Sequence, residues 1–410
     1  MTTHQLVKIP LDQLRPGMFV GNVFNDRGVL LYSANTLIVD YAQVEALRRQ
    51  GVTSVGINLQ KGSGSDAVSE PAETIESLPS HSLDSKSVKT ASPFDTLKIR
   101  EAITLRDKTL EAVHRVMSAA TTGRMFSLDT VADSVNSIID LMLGDPDLLL
   151  NINRLKSGSP VEYIHSVNVS VLMIGFASAL GYSRSELIDV GVGGILHDIG
   201  KIRFPGELLQ KHGSCTRQEL ELFKKHPAMG IEIVRMSRTP VSPIVLSIIG
   251  QHHERINGSG YPEHLREKQI EPLAMVCALA DMYDSLTCDG TYRRTYLPQE
   301  ALALIFQGAD EEIPRRLVEH FTKLLGIYPV GSFVKIDNGE MGVVIRNNRQ
   351  KLLTPLVKIL FDENGTLLAT PYIRDLSIES ETGERKPARV INSLDPHLFN
   401  VQDNQFYLQL

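Results

Sequence analysis

The segment ELIDVGVGGILHDIGK, from Glu186 to Lys201, decides the fold. Its apolar residues recur every three or four positions, a spacing that predicts a helix over Glu186–His197. The helix ends on a polar pair, His197-Asp198, and Gly200 follows as a residue type that commonly stops helices. The segment therefore places a histidine and a carboxylate together at a helix end.

The same helical periodicity extends in both directions, from about Phe94 to Leu325. Thr216 and Glu219 have the spacing of a capping box. The other predicted helices are Ile99–Met117, Val131–Leu143, His165–Leu180, Arg217–Lys225, Gly230–Met236, Ile244–His253, Leu273–Leu286, Gln299–Gln307 and Arg315–Leu325. We therefore expect a mainly α fold with a helical bundle over residues 94–327.

Both ends of the chain have a different pattern. Residues 1–60 predict a small α+β domain of short strands, turns and one helix. Residues 328–410 predict a small β-rich region, because the hydrophobic period changes to two after Tyr328. The predicted elements are strands Gln5–Ile9, Phe19–Phe24 and Val52–Ile57, helix Tyr41–Gln50, and strands Ser332–Ile336, Gly342–Ile345, Leu356–Phe361 and Leu367–Ala369. Residues 61–93 are rich in Ser, Glu, Asp and Pro, which predicts a flexible linker.

Composition excludes several classes of protein. The chain has 410 residues, 42% of them hydrophobic, and a formal net charge of −6, which argues against binding a nucleic acid polymer. Cys215, Cys277 and Cys288 have neither CxxC spacing nor an even number, which favours a reducing compartment. The N-terminus lacks a signal-peptide pattern, and the longest apolar stretch, Val167–Leu180, is shorter than the roughly 20 residues of a membrane span. We therefore expect a cytoplasmic protein without a membrane segment.

Histidines and carboxylates cluster in the helical region. Five of the twelve histidines lie there beside acidic residues, and Asp281 lies on an apolar predicted helix, where a carboxylate must be paired, hydrogen-bonded or metal-bound. Each residue alone has an ordinary explanation, such as a core histidine or a helix-end hydrogen bond. Together they favour a metal centre built at the ends of successive helices. The candidate residues are His165, His197, Asp198, His226, His252, His253 and Asp281.

Three motifs give a specific resemblance. Residues 197–201 match HDxGK, residues 252–262 (HHERINGSGYP) match HHExxxGxGYP, and residues 280–287 (ADMYDSLT) are similar to ADxYDALT. This part of the chain resembles the HD-GYP family, the bacterial HD phosphohydrolases that hydrolyse cyclic di-GMP. Residues 1–60 are similar to the small domain often found ahead of HD-GYP domains. The resemblance implies an HD-type bundle that converts cyclic di-GMP to linear pGpG, with a second hydrolysis to GMP left open.

The resemblance also implies roles for individual residues. His165, His197, Asp198 and Asp281 would hold one metal, and His226, His252 and His253 would complete a second, with Asp198 bridging. Lys201 would act with Asp198 in catalysis and contact the phosphate, and Arg293 would bind substrate. The loop residues Gly260, Tyr261 and Pro262 would contact substrate or dock a GGDEF-domain diguanylate cyclase.

Two positions depart from the family pattern. Some members hold a third metal with a glutamate four residues before the first histidine, where this chain has Val161; Glu162 is about 100° away around the helix. We therefore expect two divalent ions, with Fe or Mn suited to a His-rich, carboxylate-bridged site. The second departure is Gly290-Thr291-Tyr292-Arg293, where many relatives have a further arginine.

Two other functions stay open. The domain could be catalytically idle and bind a nucleotide or a partner, or it could hydrolyse another nucleotide, such as linear pGpG or a hybrid cyclic dinucleotide. The presence of all seven ligand positions favours catalysis. The oligomeric state is left open.

Overall fold

The computed structural model describes residues 6–24, 30–38, 40–49, 52–58, 96–153, 160–209, 211, 216–288, 295–378 and 388–399. They form two compact units. One comprises the described residues of 1–91, 333–344 and 356–409, and the other those of 92–332 and 345–355. The predicted linker 61–93 lies outside the described residues, and the predicted domain limits stay a prediction.

The first unit combines residues from both ends of the chain. Two antiparallel sheets have the strand orders β1-β4-β2-β3 and β8-β7-β6-β5-β9. Their elements are β1 (Leu6–Pro10), β2 (Phe19–Phe24), β3 (Leu30–Leu37), α1 (Tyr41–Arg49), β4 (Ser54–Asn58), β5 (Phe333–Ile336), β6 (Met341–Arg346), β7 (Leu356–Phe361), β8 (Leu367–Asp375) and β9 (Val390–Leu394). One hydrophobic cluster joins Leu14 and Leu47 to Phe333 and Leu360, so the two terminal segments share a core.

The second unit is almost wholly helical, as the sequence predicts. Its helices are α2 (Thr96–Thr121), α3 (Asp129–Gly144), α4 (Pro146–Asn153), α5 (Val161–Ala179), α6 (Arg184–Leu196), α7 (Gly206–Leu209), α8 (Arg217–Phe223), α9 (His226–Val234), α10 (Pro243–Gln251), α11 (Pro272–Thr287), α12 (Pro298–Gln307) and α13 (Arg315–Leu325). The predicted capping box of Thr216 and Glu219 begins α8.

Helices α5 and α6 lie at the centre of this unit. They can approach closely because residue 194 is a glycine and has no Cβ. A Cβ at this position would lie only 2.8 Å from the Ser170 Cα. Every residue of α5 from Ser166 to Ala177 is buried. Among the described residues, α5 is the one helix whose length and composition would allow it to cross a membrane. Of its most apolar stretch, 61% is buried inside the fold, which is typical of the core helix of a soluble protein.

Candidate metal centre

The candidate ligands come from helix ends that meet at one place. His197 caps α6, and Asp198 begins the 3-10 turn Ile199–Arg203, which also carries Lys201. The remaining candidates are His165 on α5, His226 at the start of α9, His252 at the C-cap of α10, His253 next to it, and Asp281 within α11.

Gly200 determines how closely the 3-10 turn and helix α9 approach each other. A Cβ on Gly200 would overlap the His226 carbonyl oxygen and lie 2.8 Å from the Gly230 nitrogen. Because glycine has no side chain, the 3-10 turn packs directly against the start of α9. The Asp198 carboxylate and the His226 imidazole therefore meet.

The ligand atoms form two adjacent groups. Within each, nitrogen and oxygen atoms lie within 4.8 Å of one another: His165, His197 and Asp281 in the first group, and Asp198, His226, His252 and His253 in the second.

Asp198 lies between the two groups. Its Oδ2 atom is 3.3 Å from His197 Nε2 and 3.9 Å from His165 Nε2. Its Oδ1 atom is 3.2 Å from His226 Nε2 and 3.8 Å from His252 Nε2. One oxygen thus faces each group, as a bridging carboxylate requires.

Hydrogen bonds to the backbone orient three of the imidazoles. The Nδ1 atoms of His197, His226 and His252 lie 2.8, 2.7 and 3.0 Å from the carbonyl oxygens of residues 194, 223 and 249. A carbonyl only accepts, so each Nδ1 atom carries the hydrogen and each neutral ring keeps its Nε2 lone pair. These lone pairs point into the site, which is the arrangement that metal-ligating histidines use.

The site contains buried polar atoms that protein groups do not satisfy. Among the described residues, His197 Nε2 and Asp198 Oδ1 are buried without a hydrogen-bond partner. His226 Nε2 and His252 Nε2 also face each other at 3.1 Å, although two lone pairs cannot bond to each other. Imidazole nitrogens with carboxylate oxygens suit divalent transition-metal ions. The residues present therefore fit a bound cation.

Electrostatics favour neutral imidazoles in the second group. Burial lowers the pKa of His226 to about 3 and holds the pKa of His253 well below its usual value. A histidine must be unprotonated to bind a metal, so this effect prepares the group for a cation.

His165 and Asp198 behave differently. Burial lowers the pKa of His165, but the carboxylates of Asp281 and Asp284 outweigh it and raise this pKa to about 10. Burial raises the pKa of Asp198, but neighbouring groups, the Lys201 ammonium first among them, outweigh it and hold this pKa well below its usual range. Asp198 is therefore ionised at neutral pH.

Asp284 is a site residue for which the sequence reasoning gave no role. Its Oδ2 atom lies 2.7 Å from His165 Nδ1, and its Oδ1 atom accepts a hydrogen bond from Asn168 Nδ2 at 3.0 Å. Cys288 Sγ lies 3.3 Å from Oδ2. The spacing of Asp281 and Asp284 puts them on one face of α11, which ends at the C-cap residue Cys288, and this spacing is the signal that could have identified Asp284.

The other predicted site residues have different positions. Lys201 pairs with the Asp198 carboxylate, and its side chain is 35% exposed. The Tyr261 ring stacks on His253, with centroids 4.6 Å apart, and Gly260 and Pro262 flank it in the same loop. Arg293 lies outside the described residues.

Comparisons with known proteins agree with this arrangement. The HD domain family matches residues 149–317, which include all seven candidate ligands. A domain of unknown function, DUF3391, matches residues 6–131, and a KOW domain associated with HD domains matches residues 333–382.

Curated relatives are similar to this chain over different lengths. A cyclic di-GMP phosphodiesterase of Pseudomonas aeruginosa is 32% identical over 388 residues, which cover 92% of this chain and 90% of that protein. A cyclic di-GMP phosphodiesterase of Thermotoga maritima is 27% identical and covers 56% of this chain and 62% of its own length. A 3'3'-cGAMP-specific phosphodiesterase of Vibrio cholerae is 26% identical over 50% of this chain and 40% of that protein.

The similarity to the Pseudomonas enzyme extends over nearly all of both proteins, and the HD domain match includes the ligand cluster. The HDxGK and HHExxxGxGYP motifs lie at the centre of that cluster. The chain therefore belongs to the HD-GYP family of HD-domain phosphodiesterases.

Proposed function

We propose that this protein hydrolyses cyclic di-GMP to linear pGpG, with GMP as the product of a second hydrolysis. The observation that carries the proposal is the Asp198 carboxylate, whose two oxygens face two separate groups of metal-ligand atoms. The relatives named as cyclic di-GMP phosphodiesterases support this choice of substrate.

The two groups of side chains would hold two divalent ions, with Fe or Mn as the proposed metals. His165, His197 and Asp281 would bind the first, and His226, His252 and His253 the second, with Asp198 between them. Two such ions neutralise phosphodiester charge and lower the pKa of bound water toward neutrality. The protein fixes the imidazole orientations through backbone carbonyls, so the ligand atoms need little rearrangement.

Lys201 would bind a phosphate oxygen of the substrate. The 3-10 turn brings residues three apart to the same side, so the Lys201 ammonium lies beside Asp198 at the edge of the site. Because its side chain is about one-third exposed, the ammonium can turn toward an anion above the metal groups. Lysine acts there as a point charge.

The loop Gly260-Tyr261-Pro262 would form one wall of the substrate site, since Tyr261 stacks on a candidate ligand. Arg293 as a second phosphate contact, and a GGDEF-domain cyclase as a partner of the loop, stay predictions from the family resemblance. The cytoplasm is the compartment we propose, because a soluble second messenger is its substrate.

A second candidate substrate is a hybrid cyclic dinucleotide. The similarity to the Vibrio 3'3'-cGAMP-specific enzyme favours including it. A catalytically idle binding module is the other alternative, and the complete ligand set argues against it.

The deciding experiment measures metal content and turnover on the same anaerobically purified sample. We expect about two Fe or Mn per chain and conversion of cyclic di-GMP to pGpG, with cyclic GMP-AMP and pGpG tested in parallel. Asp198→Ala is the inactive control. Two metals with turnover of another dinucleotide only would refute the proposed substrate, and two metals without any turnover would favour the binding module.

A further inference from the structure

Glu254 is a buried carboxylate beside the two groups of candidate ligands, and it has no role in the proposed hydrolysis. It directly follows His253 and is 1% exposed. Within the described ranges, no ion pair neutralises it. Burying a carboxylate is costly unless hydrogen bonds compensate it, so its contacts show what it stabilises.

Both oxygens of Glu254 bind the backbone of the loop that follows. Oε1 accepts a hydrogen bond from the Glu263 N–H at 2.7 Å, and Oε2 accepts one from the Leu265 N–H at 2.9 Å. One side chain thus fixes both the end and the exit of the loop from residue 255 to residue 262.

The loop is also held against the ligand segment at its middle. A Cβ on Gly260 would lie 2.5 Å from the His253 carbonyl oxygen and from the Glu254 Cα. The Tyr261 N–H donates to that same carbonyl oxygen at 3.2 Å. The backbone before Tyr261 therefore has little freedom to move away from His253.

This fixed backbone places the Tyr261 ring on the His253 imidazole. The two rings are nearly parallel, with an interplanar angle of 24° and centroids 4.6 Å apart. The other rings next to His253 are those of His252, with centroids 4.2 Å apart, and His226, with centroids 4.9 Å apart. Of these three neighbouring rings, Tyr261 is the one that belongs to the loop.

We propose that Glu254 is a positioning residue: it holds the loop so that Tyr261 packs on His253 and fixes that imidazole as a ligand of the Asp198, His226, His252 and His253 group. The inference rests on the proposed metal-dependent function. Residues that orient metal ligands typically change metal affinity by about 10–100-fold when they are substituted. We expect that loss when either Glu254 or the Tyr261 ring is removed.

The near-isosteric variant Glu254→Gln is the direct test. In glutamine an NH2 group replaces one of the two acceptor oxygens. That NH2 group would face a backbone N–H, and two donors cannot form a hydrogen bond with each other. Tyr261→Ala removes the ring but keeps the Glu254 anchor, so it tests the same inference if Glu254→Gln does not fold. The controls are Tyr261→Phe, which keeps the ring, and Glu267→Gln, which removes an exposed carboxylate nearby.

The first measurement needs no metal. In metal-free protein with 13C-labelled histidine, Glu254→Gln and Tyr261→Ala should shift the His253 signal, assigned by its loss in His253→Gln. The His197 signal should stay in place, as should both signals in Glu267→Gln, and Tyr261→Phe should shift the His253 signal less than Tyr261→Ala does. The second measurement is a Mn²⁺ titration, in which the two variants should bind one ion about 10–100-fold more weakly than wild type.

An unchanged His253 signal in both variants, or Mn²⁺ binding equal to wild type, would overturn the positioning role. Hydrolysis of cyclic di-GMP by the wild-type protein is a separate assay. Its failure would refute the proposed substrate, whereas the comparison of Mn²⁺ binding between variants and controls would still decide the role of Glu254.

Discussion

Substitution of Asp284 by asparagine should weaken the first metal group without altering its ligands. Asp284 Oδ2 lies 2.7 Å from His165 Nδ1, and Oδ1 accepts from Asn168 Nδ2. An asparagine has only one acceptor oxygen. If that oxygen faces His165, the amide nitrogen faces the Asn168 donor. If it faces Asn168, the amide donates to Nδ1 of the neutral imidazole that would bind a metal, and the proton of that imidazole is then left on Nε2, the ligand atom.

Either arrangement disturbs His165 as a ligand. Loss of such an orienting partner typically weakens metal binding by about 10–100-fold, equivalent to about 1.4–2.8 kcal/mol. The assay is a Mn²⁺ titration of Asp284→Asn beside cyclic di-GMP turnover at saturating metal. Asp133→Asn makes the same chemical change at an exposed position of α3 and is the matched control.

Cys288→Ser provides a second comparison, because serine keeps a donor near Asp284 Oδ2. We expect its metal affinity to stay near that of wild type. Equal Mn²⁺ affinities for Asp284→Asn and Asp133→Asn would refute the reasoning, since the His165 orientation would then not depend on Asp284.

Four further changes test the site and the fold. Asp198→Ala should lose both metal and turnover, because one carboxylate faces both groups; unchanged activity would contradict the metal assignment. Val161→Glu should raise the metal content from two ions to three per chain, measured by elemental analysis, since residue 161 lies one helical turn before His165. Phe321→Ala should lower the free energy of unfolding in urea by about 3–5 kcal/mol, because this ring is fully buried against Phe176; the exposed Phe306→Ala should cost about 0.5–1 kcal/mol through its contact with Arg315. Chelation should lower the melting temperature but leave the helical circular dichroism in place, and loss of helix on chelation would count against a site formed before metal binds.

Local periodicity was sufficient to predict most helices. The helix Arg315–Leu325 has the predicted bounds, because a strongly amphipathic segment is bordered by Pro314 and Gly326. Helices α4 and α7 and strands β3 and β9 were not predicted. The eight residues of α4 give too few turns for periodicity, and LLYSANTL in β3 has an irregular alternation.

Tertiary contacts account for what the sequence could not predict. The core shared by Leu14 and Phe333 joins segments more than 300 residues apart, and no local pattern records such a contact. Residues 345–355, which include the last two residues of β6, belong to the helical unit, where Arg346 pairs with Asp145 at 2.8 Å. The candidate ligands could be named because motif spacing identifies them. The roles of Asp284 and Glu254 depend on which neighbours their carboxylates meet after folding.

The charges around the site explain how it can exist before a metal binds. Three carboxylates, Asp198, Asp281 and Asp284, each place an oxygen within 4 Å of a ring nitrogen of His165, and like charges gathered around one residue would oppose folding. The Lys201 ammonium lies against Asp198, and a protonated His165 lies between Asp281 and Asp284. These two cations offset most of the negative charge while backbone carbonyls hold the other imidazoles. Divalent ions would therefore meet an arrangement that the helix ends have already built, in which His165 would give up a proton to act as a ligand and Lys201 would be the cation nearest to an anionic ligand.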